Sequence, residues 1–224
     1  MNHRPLSSLP LPLAGESQGR CGGLMAPLAT LLLAIALTGC ATPPAVRYYS
    51  LAPAPTIAPA PASTLQLEIP PVALPERLVR PQLVVRSADN PFDVLDQHRW
   101  AAPFDSELHD ALASGISQQL GAIDVTTGGR LASQPVYRIA VQLRQWDAAV
   151  DGQVQASFSW TIRRMDSNGM VSRNLACQWS QSEPVGTGIA ALAQGAQRLT
   201  SRAAQSMAAS VKALDADAAA TCPG

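Results

Sequence analysis

Histidine is scarce in this sequence. Of three, His3 precedes the cleavage site inferred below, which leaves His98 and His109, eleven positions apart. No HExxH, GxSxG or CxxC run is present, so zinc-hydrolase, serine-hydrolase and dithiol-redox chemistry have no motif to stand on. Ser106 and Ser114 share a predicted helix with His109, but side chains on one helix seldom assemble a nucleophile, a base and an oxyanion hole. The expectation is a protein with no catalytic residue, no cofactor and no metal.

A charge excess of one sign is also missing. From Cys40 onward there are 14 basic and 15 acidic side chains, and Lys212 is the only lysine beside thirteen arginines. Such a balance offers no electrostatic footprint for nucleic acid, so nucleic acid is not an expected partner. Nor is there a long apolar run: Leu24 to Leu37 gives 14 uncharged residues, whereas a helix needs about 20 to cross a bilayer.

What is present at the N-terminus is an export signal. Arg4 and Arg20 precede the apolar segment, and small residues end it, the order of a bacterial signal peptide. The run Leu37-Thr38-Gly39-Cys40 resembles the lipobox of bacterial lipoproteins. That resemblance implies cleavage between Gly39 and Cys40, removal of residues 1–39, and diacylglycerol on the Cys40 thiol. A translation start nearer Met25 would leave this anchor unchanged. Several acyl chains make attachment effectively permanent, so the membrane is a partner through the lipid. Ala41, rather than Asp, follows the cysteine, which by the same resemblance favours the outer membrane, facing the periplasm.

Residues 41–63 are dominated by Pro and Ala and read as an extended tether, with Tyr48-Tyr49-Ser50-Leu51 as a candidate short strand inside it. One domain, 64–214, follows, and 215–224 read as a frayed tail. Two proline-broken strands are expected in 65–74 and 76–86, and SADNPFDVLDQHRW reads as turn-rich. Phe104, Leu108, Leu112, Ile116 and Leu120 step by four and predict a helix ending at Gly121. Asp105, Glu107 and Asp110 at its start read as solvated carboxylates favoured by the helix dipole.

Three alternating strands then follow. Tyr137, Ile139, Val141 and Leu143 share one face; Val154, Ala156, Phe158, Trp160 and Ile162 share another; Leu175, Cys177 and Trp179 share a third. Asp166-Ser167-Asn168-Gly169 supplies a hairpin turn. Leu192, Ala196, Leu199, Ala203, Met207 and Val211 mark a second helix over about 188–214. The sum is an α+β fold: a mixed, largely antiparallel sheet with two main helices packed on it. Cys177 and Cys222 leave two states open in an oxidising compartment: a disulfide between them, or Cys177 in the core and Cys222 loose in the tail.

A lipobox, then Tyr48-Tyr49-Ser50-Leu51, then Arg80-Pro81-Gln82-Leu83-Val84-Val85-Arg86, then His98-Arg99-Trp100-Ala101-Ala102-Pro103-Phe104 resembles the PqiC/YmbA lipoproteins, the ABC-type transport auxiliary lipoprotein component family. The resemblance runs from Cys40 to about Leu214. It implies a non-catalytic periplasmic subunit working with an MCE-domain protein and an inner-membrane partner or ABC transporter in lipid transport between membranes. Assembly as a homo-oligomeric ring is part of that expectation. Arg80, Arg99 and Trp100 are the family-matching candidates for partner docking, set against a structural reading in which Trp100, just before a helix, staples the core and the arginines pair with Asp93 or Asp96. A generic outer-membrane scaffold in envelope or lipopolysaccharide assembly is the alternative that fits the same anchor.

Overall fold

The structure, a computed structural model, describes residues 44–52, 64–87, 89 and 91–223. Gly39, Cys40, the signal peptide and residues 53–63 of the expected tether lie outside the described residues.

Alternation decides the centre of the molecule. Strands β6 (Val136–Ala148), β7 (Gln153–Met165) and β8 (Val171–Pro184) form an antiparallel meander, with β7 paired along its length to both neighbours. On β7 the predicted inward set, Val154 through Ile162, is at most 3 % exposed. On β6 the alternation breaks once: Leu143 faces Phe158 while Gln145 faces Ser157, so Arg144 is an extra residue. This bulge reverses the parity of the strand. Trp146, three positions after Leu143, therefore joins the core.

Two short strands extend this sheet. Strand β2 (Gln66–Glu68) runs parallel to β6 and carries β5 (Ile123–Asp124) on its other side, giving the order β5-β2-β6-β7-β8. A second sheet has the order β1-β4-β3, from β1 (Arg47–Tyr49), β3 (Gln82–Val85) and β4 (Asp93–Trp100). Isolated bridges, Ala73 to Gln142 and Arg86 to Ala149, connect the segment around β3 to the edge of β6. The α+β class therefore stands, with the strands divided between two mixed sheets.

Three sequence expectations change here. The region expected to hold two strands is cut by its prolines into β2, a single 3-10 turn at Glu76–Leu78, and β3. The stretch read as turn-rich is largely strand β4, the middle strand of its sheet. Part of the expected tether is folded: the candidate strand is Arg47–Tyr49, paired in parallel with His98–Trp100.

Helix α1 (Phe104–Leu120) buries Phe104, Leu108, Leu112 and Ile116 and stops at Gly121, whose φ of 58° gives the left-handed cap. Helix α2 (Ile189–Ala216) packs on β7 and β8 and against α1. All six residues of its predicted stripe are at most 2 % exposed. The two helices approach closely enough that a Cβ added at Gly115 would lie 2.9 Å from the Ala204 Cβ.

The C-terminal segment is held. Cys177 and Cys222 are bonded, with their Cα atoms 5.6 Å apart, so the segment after α2 is fastened to β8. The frayed-tail reading has to be corrected for this reason. Arg173 reinforces the closure by donating to the Leu214 and Asp215 carbonyls at the end of α2.

Candidate functional site

The segments that carry the family resemblance converge where β1, β4 and the start of α1 meet. Strand β1 lies beside the end of β4, and the Ala101 amide donates to the Tyr49 carbonyl at 2.7 Å. The next two residues are gripped by one side chain. Glu107 Oε2 accepts the Ser50 hydroxyl and the Leu51 amide, each at 2.9 Å. Glu107 is 9 % exposed, so it is a buried clasp and not the solvated carboxylate its helix position suggested. Gln197 of α2 donates to the Ala52 carbonyl at 2.7 Å and completes the attachment.

Each docking candidate has a place in this corner. Trp100 is 5 % exposed and stacks at 5.5 Å on Phe104, which meets Trp146 edge-on at 5.0 Å. Its surface is spent on packing against the core. Arg80 is half-buried; its carbonyl accepts the Phe104 amide at 3.2 Å, and its Nε is enclosed without a hydrogen-bond partner. It sets the start of α1. Arg99, also half-buried, donates through Nε to the Asp96 carbonyl at 3.1 Å, whereas the sequence reading paired it with an aspartate carboxylate.

The two histidines serve structure at separate points. His98 Nδ1 lies 2.9 Å from the Tyr49 hydroxyl, with the rings stacked at 5.8 Å. His109 stands between two acceptors, Nδ1 at 2.9 Å from Asp110 Oδ1 and Nε2 at 2.9 Å from the Ile69 carbonyl. Partial burial lowers its pKa, but the bond to Asp110 and the Ile69 carbonyl outweigh that, so the imidazole sits above 6.5. Tyr137 is pushed upward in the same sense, first by burial and then by its hydrogen bond to Asp215. Among the described residues no group of three or more His, Cys, Asp or Glu is arranged to hold a metal.

One surface with a binding character is the face of the meander turned away from the core. It is a shallow trough lined by Gln142, Arg144, Ser159, Thr161 and Gln178, about 460 Å³ in volume, that continues toward Ser157 and Ser180. Sequence reading used the alternation of these strands for the core and gave the outward residues no role. The missed signal was their size: short hydroxyls and amides on three adjacent strands leave a flat surface with donors and acceptors and little charge.

Residues 49–208 match the model of the ABC-type transport auxiliary lipoprotein component family. The chain belongs to that family. Members of it are auxiliary lipoproteins of transport systems, so this one is a membrane-anchored envelope protein. The fold of this auxiliary lipoprotein also occurs in solved structures. A crystallised protein of uncharacterised role is 18 % identical, with a TM-score of 0.58 over 75 % of this chain and 99 % of its own. A Xanthomonas campestris protein of the DUF330 family is 16 % identical, with a TM-score of 0.50 over 72 % of this chain and 91 % of its own. At these identities the likeness is one of fold alone. No curated protein matches the chain.

Proposed function

We propose that this protein is a non-catalytic outer-membrane lipoprotein, anchored through Cys40 and facing the periplasm, that acts as the auxiliary subunit of an MCE- or ABC-type system moving lipids between membranes. The observation that carries this reading is the family match across 49–208, which begins only nine residues after the lipobox cysteine. Ala41 after that cysteine favours the outer membrane. Arg80 and Arg99 support the corner that holds β1, and the flat trough of β6, β7 and β8 is the docking surface for the partner or for neighbouring copies in a ring.

Purification of the lipidated chain from the cell envelope tests the reading. An MCE-domain protein should co-purify, and intact mass should show acylation at Cys40. Absence of both overturns it. Gene deletion separates the scaffold alternative: disturbed lipopolysaccharide or barrel assembly with unchanged phospholipid distribution would replace the transport role.

A further inference from the structure

Several apolar side chains stay exposed on the segments that lead into and between β1, β3 and β4. Phe92 is 56 % exposed, Val79 52 %, Val94 40 % and Val46 36 %. The pairings place Phe92 and Val94 together where β4 begins. Strand β1 is parallel to β4 and pairs with its last three residues, so the segment ahead of Arg47 comes from the side on which β4 begins with Asp93. Strand β3 finishes there, with Val85 opposite Asp93. Arg77 lies over the Phe92 ring, its guanidinium carbon 5.3 Å from the centroid.

The opposite end is far away. Arg86 bridges to Ala149 beside the β6–β7 turn, whereas Met170 follows the β7–β8 turn. Thirteen residues of β7 separate these turns, a distance of about 40 Å at roughly 3.3 Å per residue. Only six residues lie between Cys40 and Arg47, and fully extended they reach about 25 Å. A leash shorter than the sheet presents one end of the sheet to the bilayer.

We propose that Phe92, Val94 and Arg77 form a second contact with the bilayer that holds the Cys40 lipid, fixing which end of the protein faces it. This inference rests on the lipid-anchor reading above. An aromatic ring beside a guanidinium suits the membrane interface, where the ring enters the acyl boundary and the cation meets phosphate. Glu76, Asp89, Asp93 and Asp96 also lie on these segments. Attraction to anionic lipid is therefore offset, and insertion of the apolar side chains drives the contact. Salt should leave it in place.

The test uses the full lipidated chain reconstituted into phosphatidylethanolamine–phosphatidylglycerol vesicles whose acyl chains are brominated. Phe92→Trp, and separately Val94→Trp, should show a roughly twofold loss of the added emission relative to unbrominated vesicles. Met170→Trp, 66 % exposed in the native chain, should show none. Equal quenching at both ends, or none at Phe92→Trp and Val94→Trp in protein that floats with vesicles, overturns the proposal and leaves the anchor standing. Failure to float overturns both.

Discussion

Glu107 and Leu51 are joined across fifty-six positions by a 2.9 Å hydrogen bond from the Leu51 amide to the buried carboxylate. Through that bond the first turn of α1 holds the segment that leads back toward Cys40. A substitution to Ala leaves a buried amide without a partner and releases the Ser50 hydroxyl. The expected loss is about 2–3 kcal/mol in urea unfolding, with Glu107→Gln losing less because its carbonyl still accepts. Equal stability of Glu107→Ala and the native chain would refute the clasp.

The sandwiched imidazole of His109 makes stability depend on pH. Its folded pKa is raised above 6.5, so its stabilisation is complete below pH 6.5 and drains away as pH rises through the folded value. Urea midpoints measured from pH 5.5 to 8.5 should fall more steeply for the native chain than for His109→Gln. Parallel profiles would show that neither acceptor stabilises the charged ring.

The link between Cys177 and Cys222 closes a loop of 45 residues. Loop closure of that length is worth about 4 kcal/mol in the chain-entropy model. Cys222→Ser should lose a substantial part of that amount, and non-reducing intact mass of the native protein should be lighter by the two hydrogens of one disulfide. Cys177, 4 % exposed, should stay unreactive to alkylation in the folded variant.

On the open face, Ser159 faces Gln142 on one side and Gln178 on the other. Ser159→Arg places a long charged side chain in the flat trough. Binding to the partner or to neighbouring copies should weaken on the order of tenfold or more, while unfolding stability changes by no more than about 1 kcal/mol. Undiminished assembly would move the docking surface elsewhere.

Both helices and the meander were legible because their periodicity is local: the stripes of α1 and α2 and the alternation of β7 follow from neighbouring residues. Strand β4 was hidden because its pairing is not local. Asn90-Pro91 and three aspartates read as turn, yet β1, about fifty positions upstream, and β3 enclose the segment. Trp146 escaped since one extra residue, Arg144, shifts the face of β6. Glu107 was misread because a carboxylate in a first helical turn has a sufficient local explanation, and its true partners belong to another element. Trp100 carried a family motif just ahead of a helix, a place that suits both docking and stapling over the core, and its burial belongs to the second.

The parallel arrangement of β1 and β4 has a mechanical meaning. A pull on the chain ahead of Pro44 would run along the axis of β1 and load the β1–β4 hydrogen bonds in shear, together, without peeling them one after another. Behind them the grip on Ser50, Leu51 and Ala52 takes up the remaining load. A pull from that end would therefore reach the rest of the fold through this corner.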